Sequence, residues 1–386
     1  MKKLFAKTDK WLFALMLIYM VLGLIMIFSS SSVSTVLRYN VNPEHFFVRQ
    51  LIFLLGSFII GIFIILRLPT SKYRHLSGFG ILLIVVALIG LFVYGKITNG
   101  AQGWYDLGFF SLQPSEFAKS ILIIFMAVFY DRLARKKINN VGLYFIPLAV
   151  AALIIVLVLA QPDFGGAVIL ACIAFGIFIS VPTIKNNAIK VIKFLGIGAV
   201  ILVVGLLYSG SEILNSAQLR RFTFKDPCVR YTESTGYQVC NGFIAIHNGG
   251  LWGVGLGNST QKYLYLPESH TDFIFPIIVE ELGLVVSILI IVGYVFILYR
   301  ILKIAKEAAN LRCSIIAYGV FIYIAIHLLI NLLGILAIIP LTGVPLPLLS
   351  YGGSYTINVV VMLFVVQRVA IENKTNKAKK EIQNIK

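Results

Sequence analysis

The fold is decided by the stretch Trp11-Leu-Phe-Ala-Leu-Met-Leu-Ile-Tyr-Met-Val-Leu-Gly-Leu-Ile-Met-Ile-Phe-Ser29. It carries no charge and is apolar on all sides of a helix, whereas a surface helix of a soluble domain has a polar face. A run of about 18 apolar residues is long enough to cross a bilayer as a helix. Basic residues precede it, as in a signal peptide, but no convincing cleavage site follows, so we interpret it as an uncleaved span.

Nine further apolar runs resemble the first, and helix is the only plausible state because an open strand in lipid leaves its backbone unpaired. The ten runs cover residues 11–29, 51–68, 77–95, 114–130, 142–160, 165–181, 191–209, 273–299, 313–339 and 354–367. Only 13% of the 386 residues are charged, against roughly a quarter in soluble proteins. We predict an all-α polytopic membrane protein with one domain (1–371), a large outer loop (210–271) between spans seven and eight, and a basic tail (372–386).

The charges predict the orientation. With a cytoplasmic N-terminus, 24 of the 33 Lys and Arg residues lie inside and 8 outside, and Lys119 lies within a span. The 16 carboxylates divide into 5 inside and 11 outside or at the outer ends of spans. This bias predicts that both termini are cytoplasmic. The net charge of +17 then reflects orientation and attraction to anionic headgroups, and we expect no nucleic-acid binding.

The four cysteines do not form a disulfide scaffold. Cys172 and Cys313 lie in or beside spans and are expected to be inert. Cys228 and Cys240 share the outer loop, where an oxidising environment would allow a structural disulfide, although the sequence does not decide whether it forms.

Ionisable residues near the outer ends of spans are the candidate functional groups, because charge at membrane depth is costly unless it is paired or hydrated. Asp272 opens the eighth span, and Asp163 lies in the turn between the fifth and sixth. Glu116 and Lys119 are three residues apart and share one face of the fourth span. Each has a structural alternative: an ion pair for Glu116 with Lys119, and a helix cap for Asp163 or Asp272.

Two adjacent carboxylates, Glu280 and Glu281, lie two turns deeper in the eighth span. Because such a pair is hard to sustain in lipid, we expect one of them to face a hydrated cavity or a basic partner. The outer loop before this span holds a cluster of glycines from Gly249 to Gly257, which lacks the spacing of a dinucleotide-binding loop.

The segment from Pro340 to Tyr355 is rich in Pro and Gly and has no charge. It is either a tight hairpin between the ninth and tenth spans or a re-entrant wall of a site. With His327 and Asn331 on the preceding span, we favour the wall, since irregular backbone at membrane depth is tolerated where it is buried or lines a cavity.

Seven sequence blocks between residues 99 and 354 point to a known family. They are Asn99-Gly-Ala-Gln-Gly-Trp-Tyr-Asp-Leu-Gly108, Gln113-Pro-Ser-Glu-Phe-Ala-Lys119, Gln161-Pro-Asp-Phe-Gly165, Gly250-Leu-Trp-Gly-Val-Gly-Leu-Gly257, Leu266-Pro-Glu-Ser-His-Thr-Asp-Phe-Ile-Phe275, Glu280-Glu-Leu-Gly283 and Pro345-Leu-Pro-Leu-Leu-Ser-Tyr-Gly-Gly-Ser354. In their order and in the number of spans, the chain resembles the SEDS proteins of bacterial shape, elongation, division and sporulation. These proteins, the RodA and FtsW group, are polytopic peptidoglycan glycosyltransferases.

The resemblance implies roles for particular residues. It makes Asp272 the catalytic residue and Glu116, Lys119 and Asp163 supporting residues. The candidate substrate-binding or supporting residues from the same blocks are Trp104, His270, Glu280 and Ser350. Many relatives have Arg immediately before the Trp of the first block, whereas this chain has Gly103.

The implied reaction joins lipid II units into glycan strands at the outer face of the bacterial cytoplasmic membrane. A carboxylate base would assist the attacking hydroxyl by about 10²- to 10⁴-fold. The leaving pyrophosphate needs a cation, for which Lys119 is one candidate and Arg220 and Arg221 are weaker ones. A divalent ion, Mg²⁺ or Mn²⁺, would also serve, although no ligand spacing in the sequence supports one.

The resemblance also implies a class B penicillin-binding protein as partner, within a division or an elongation complex. The sequence does not choose between those two processes. The alternatives are a lipid II flippase or another transporter, which would place its site near the midplane between repeated halves, and a non-catalytic scaffold, which would leave the outer carboxylates unexplained.

Overall fold

The computed structural model describes residues 2–98, 101–108, 110–138, 140–181 and 226–385. The long helices and one short N-terminal helix dominate it, as the composition predicts. In chain order the helices are α1 (Lys2–Phe5), α2 (Lys10–Tyr39), α3 (His45–Ile60), α4 (Tyr73–Tyr94), α5 (Pro114–Arg135), α6 (Val141–Leu159), α7 (Phe164–Ser180), α8 (Ser234–Gly249), α9 (Ile274–Lys306), α10 (Leu311–Ile335) and α11 (Gly353–Ile385). A π-helical turn (Gly61–Ile65) extends α3, and a 3₁₀ turn (Thr70–Lys72) precedes α4.

Nine of the ten predicted spans coincide with helices, namely α2 to α7 and α9 to α11. The seventh run, 191–209, lies outside the described residues, as do Arg220 and Arg221. Within the described ranges, seven helical segments are long and apolar enough to cross a membrane. Of these, α10 and α11 are the most enclosed by protein and α4 the least, so α10 and α11 form the centre of the bundle.

Both ends of the described chain lie at the same end of the bundle. The Lys7 ammonium donates to the Thr375 hydroxyl at 3.1 Å, and the Lys374 ammonium donates to the carbonyl of Thr8 at 2.8 Å. This agrees with the prediction that the termini share one side of the membrane. The helix α11 continues from its apolar part to Ile385 and so includes the predicted basic tail.

A small antiparallel sheet joins α4 to α5, which the all-α prediction did not include. Its strands are β1 (Lys96–Thr98), β2 (Ala101–Asp106) and β3 (Ser111–Leu112), with β2 in the middle. Lys96 pairs with Asp106 at 2.8 Å across it. Such short strands give too few alternating residues to be recognised in sequence.

The predicted eighth span is not one continuous helix. Gly283 has φ of +83° inside α9, so a short helical segment, 274–282, is separated by a kink from a longer one, 284–306. Residues 274–281 are buried all round, whereas Leu284, Val285 and Val286 have exposed side chains. The first segment is therefore enclosed by protein, and the exposed apolar part of the helix begins after Gly283.

The segment between α10 and α11 reaches the interior of the bundle without regular structure. A Cβ added to Gly23, in the middle of α2, would lie 2.3 Å from the carbonyl oxygen of Leu348. Tyr294 of α9 donates its hydroxyl hydrogen bond to the carbonyl of Pro347. Irregular backbone at this depth, covered by α2 and α9, matches the re-entrant wall and not the tight hairpin.

The described part of the outer loop is more ordered than a connector. It contains α8, and a disulfide joins Cys228, which precedes that helix, to Cys240 in its middle. The structure thereby answers the question that the sequence left open about these two cysteines.

Candidate active site

Asp272 lies two residues before the start of α9 and is buried, with 8% of its surface exposed. The Thr271 hydroxyl lies 3.0 Å from Asp272 Oδ1 and 2.9 Å from Glu268 Oε2. Burial, reinforced by the negative charge of Glu268, raises the pKa of Asp272 to about 7. A carboxyl with this pKa is half ionised near neutral pH, which suits a general base. The capping alternative for Asp272 is wrong, because no side chain caps α9.

Asn331 of α10 fixes the backbone on which Asp272 is carried. Its amide nitrogen donates to the carbonyl of Asp272 at 2.7 Å and to that of Val344 at 2.8 Å. Gly343, with φ of +66°, lies beside the carboxylate, because a Cβ there would be 3.8 Å from Asp272 Oδ2. The wall segment and the Asp272 loop are therefore joined through one side chain.

Asp163 links three elements of the site. Its Oδ1 accepts from the amide of Gly166 at 2.8 Å, which confirms the predicted cap of α7. Its Oδ2 accepts from the Ser115 hydroxyl at 3.1 Å and from the Gln113 amide at 3.3 Å, at the start of α5. A Cβ on Gly165 would lie 3.0 Å from the carbonyl oxygen of Thr342, so the wall segment passes beside this turn.

Glu116 and Lys119 form a buried ion pair one turn into α5, with 2.7 Å between Oε1 and Nζ. Lys119 is 1% exposed and also lies 3.3 Å from Nε2 of His327. The second carboxylate oxygen, Oε2 of Glu116, is buried without a hydrogen-bond partner among the described residues. Buried polar atoms are rarely left unpaired, which indicates a water molecule or a ligand group at this point.

One face of α10 carries Tyr323, His327 and Asn331 at intervals of four residues. The Tyr323 hydroxyl accepts a hydrogen bond from the Asn358 amide at 3.0 Å, and the same amide donates to the carbonyl of Glu116 at 2.9 Å. This face therefore connects the Glu116–Lys119 pair with the Asp272 loop. The interval of four residues was visible in the sequence, but it did not identify the three side chains as a unit.

Glu280 and Glu281 do not face lipid, because the outer loop folds over them. Glu280 accepts hydrogen bonds from Ser259 and from the hydroxyl of Thr260 at 2.9 Å. Glu281 pairs with Lys262 at 3.0 Å, which is the basic partner that the sequence predicted for one of the two. Glu280 is thus an anchor of the loop, and its described contacts are with loop residues and not with Asp272.

The remaining candidates lie around the site in different ways. His270 stacks on Phe46 with 4.4 Å between ring centroids, and burial lowers the pKa of His270 to about 4, so the ring is neutral at pH 7. The Ser350 hydroxyl accepts from the amide of Leu346 at 2.8 Å and stabilises a turn of the wall segment. Trp104 lies on β2 opposite Lys96 and is half-buried. Within the described ranges, no group of three His, Cys, Asp or Glu side chains could hold a metal ion.

Comparison with known proteins identifies the family of the chain. A family model described as cell cycle protein, covering FtsW, RodA and SpoVE, matches residues 9–375. The chain belongs to this family. The probable peptidoglycan glycosyltransferase FtsW of Bacillus subtilis (strain 168) is 36% identical to it over 99% of the chain and 95% of the relative. Stage V sporulation protein E of the same organism is 33% identical over 90% of the chain and 92% of the relative.

Solved structures share the fold of this member of the FtsW/RodA/SpoVE family. A chain from a peptidoglycan synthase complex that coordinates polymerization and crosslinking matches with a TM-score of 0.74, 23% identity and coverage of 95% of this chain and 98% of that one. Thermus thermophilus rod shape determining protein RodA matches with a TM-score of 0.66, 23% identity and coverage of 95% and 97%. The protein is thus a multi-pass membrane protein with the polytopic fold of this family.

Proposed function

We propose that this protein is a peptidoglycan glycosyltransferase that polymerises lipid II into glycan strands at the outer face of the bacterial cytoplasmic membrane. The observation that carries the proposal is the burial of Asp272, with a pKa near 7, beside the wall segment and next to the Asp163 turn. The names of the FtsW relatives support the same activity.

In the proposed reaction, Asp272 accepts the proton of the 4-hydroxyl of one lipid II. That oxygen forms a bond to the anomeric carbon of the donor, and the bond from this carbon to undecaprenyl pyrophosphate breaks. A carboxylate in this role must be ionised before attack and within hydrogen-bond reach of the hydroxyl. Asn331, by holding the backbone of Asp272, would keep the base in position.

Lys119 is less suited to binding the leaving pyrophosphate than the sequence indicated. Its ammonium is fully buried and is neutralised by Glu116 at 2.7 Å, so the pair has no net charge to offer. We assign the pair and Asp163 to the support of α5, α7 and α10 around Asp272. Arg220 and Arg221, the other candidates for pyrophosphate binding, lie outside the described residues.

The alternative of a lipid transporter has one structural feature in its favour, because broken helices are common in transporters. The break in α9, however, is separated from Arg300, the first inner basic residue of this helix, by 16 residues, or about 24 Å at 1.5 Å per residue. That length is well over half of the ~30 Å hydrocarbon core. The break therefore falls in the outer part of the membrane and not at the midplane, which favours chemistry near the outer surface.

The partner proposed from the resemblance is a class B penicillin-binding protein, which would supply the crosslinking activity. The structural neighbour from a synthase complex supports this, since that complex couples polymerization with crosslinking. The FtsW relatives, at 34–36% identity against 23% for the RodA structure, favour division over elongation. A fluorescently tagged copy should accumulate at the septum, and a lateral-wall distribution would contradict that preference.

The activity is tested by incubating the purified protein in detergent with radiolabelled lipid II. We expect glycan polymer without any other protein. A flippase would form no polymer but would move labelled lipid II across proteoliposome membranes, and a scaffold would do neither. Absence of polymer from folded protein, in the presence and in the absence of Mg²⁺, would contradict the proposal.

A further inference from the structure

The loop over the break in α9 exposes a row of large apolar side chains. Trp252 is 79% exposed and Leu251 is 59% exposed, and Val254 and Leu256 are also exposed. Isolated exposed apolar residues are ordinary, but a contiguous group indicates an interaction surface. The loop 251–256 is therefore a candidate for contact with something apolar.

The backbone of this loop is bound to that of α9, so the exposure is a built feature of the fold. Its backbone completes the hydrogen bonding of the broken helix. The amide of Val254 donates to the backbone carbonyl of Glu280 at 2.9 Å, and the amide of Gly255 donates to the backbone carbonyl of Glu281 at 3.0 Å. In return, the amide of Leu284 donates to the carbonyl of Gly250 at 3.0 Å. A Cβ on Gly253 would lie 2.3 Å from the carbonyl oxygen of Glu281, so only glycine permits this contact.

Buried charges hold the base of the loop. Lys262 pairs with Glu281 at 3.0 Å, and both side chains are almost completely buried. The Ser29 hydroxyl, from α2, donates to the same carboxylate at 2.7 Å. The loop is thus attached to two spans, and its apolar tip cannot fold inward without breaking these contacts.

The depth of the loop follows from the length of the helix below it. Residues 284–299 measure about 24 Å, and Arg300, Lys303 and Lys306 mark the end that carries basic residues. If Arg300 lies at the inner headgroups, Gly283 lies within about 6 Å of the outer edge of the ~30 Å hydrocarbon core. Tryptophan is enriched at this depth, where its ring is partly in lipid and partly in the headgroup region.

The exposed side chains of the loop are also continuous with a lipid-facing surface. Leu284, Val285 and Val286 begin the span directly after the break and are exposed in the same way. We propose that the loop 251–256 inserts into the outer leaflet of the bilayer, with Trp252 as its interfacial anchor. The predicted outer loop would then be partly a membrane element, whether or not Asp272 is the catalytic residue.

The chain suits a direct test because it has three tryptophans, Trp11, Trp104 and Trp252. The variant Trp11→Phe/Trp104→Phe, reconstituted alone into lipid vesicles, reports on Trp252 alone. We expect blue-shifted emission, little quenching by acrylamide, and strong quenching by lipids brominated near the headgroup end of the acyl chain. Lipids brominated near the chain terminus should quench less.

The matched control is the variant Trp104→Phe/Trp252→Phe, which retains Trp11 as its one tryptophan. Trp11 is exposed near the opposite end of the bundle. It should be quenched by the same shallow bromolipids. If the first variant fails to fold, the difference in quenching between the native chain and Trp252→Phe gives the same information. Water-like emission from Trp252, quenched by acrylamide and not by bromolipid, would overturn the inference. It would indicate that the loop contacts a partner protein instead of lipid.

Discussion

The Nε2 atom of His327 lies 3.3 Å from the ammonium of Lys119, inside the bundle. Nδ1 of the same ring lies 2.8 Å from the carbonyl oxygen of Tyr323, which can only accept a hydrogen bond. In the neutral ring Nδ1 must therefore carry the proton, and Nε2 is left to accept from Lys119. His327 thus has a positioning role towards the Glu116–Lys119 pair that the resemblance did not include.

Replacement of His327 tests that role. His327→Leu removes the acceptor from Lys119 and should lower kcat for glycan polymerisation with little change in KM, because the base and its supports are misaligned. His327→Gln supplies an amide oxygen to the same ammonium and should restore most of the rate. The measurement is steady-state polymerisation of lipid II by purified variants.

The control is a double-mutant cycle with Lys119→Met, which by itself should remove most of the activity. In that background His327→Leu should have almost no further effect, since residues that act together are not additive. Equal and additive losses would instead assign His327 to general packing of α10.

The pH dependence of the reaction should follow Asp272. A base must be ionised, so activity should be present above its pKa of about 7 and lost as the pH falls through that value. Burial is the largest cause of the raised pKa, and Glu268 adds to it, so Glu268→Gln should move the inflection to lower pH. Thr271→Val removes a hydrogen bond that favours the carboxylate and should move it to higher pH.

Both shifts are measured from initial rates across a pH series. Glu233→Gln is the matched control, because Glu233 is an outer-side glutamate paired with Arg230 in the α8 region. It should leave the inflection unchanged. Shifts of Glu268→Gln and Thr271→Val in the same direction would contradict the assignment of the inflection to Asp272.

The buried Lys262–Glu281 pair should be a major source of stability for the outer loop. Lys262→Met leaves the Glu281 carboxylate buried with the Ser29 hydroxyl as its remaining partner among the described side chains, and loss of one member of a buried pair costs about 3–5 kcal/mol. The apparent melting temperature in detergent should fall clearly. The further change Glu281→Gln in the same chain should recover much of the loss, whereas a further fall would show that the carboxylate is stabilised by other groups.

The sequence predicted the spans well because each is a long apolar run whose helical state is forced by the membrane. It did not predict the break at Gly283, since the Glu280-Glu-Leu-Gly283 block reads as the continuation of a helix. The break depends on the outer loop, whose glycines approach the α9 backbone from 30 residues away in the chain. Propensity and periodicity contain no information about such a contact.

The residues of the candidate site were likewise predicted only in part from the sequence. Asp163 and Asp272 were found because charge near the membrane is rare, and a rare residue stands out in an apolar sequence. His327 and Asn331 lie within an apolar run, and their roles depend on which atoms of Lys119 and Asp272 they contact. Glu280 matched a family block, but its carboxylate is occupied by Ser259 and Thr260.

The most direct test of the account is the polymerisation of labelled lipid II by purified Asp272→Asn, a change that keeps the size of the side chain and removes the base. Asp106→Asn is the matched control, because Asp106 is an exposed aspartate on β2 that pairs with Lys96. We expect no polymer from Asp272→Asn, with a melting temperature at least equal to that of the native chain, and normal polymer from Asp106→Asn. Normal polymer from folded Asp272→Asn would contradict it.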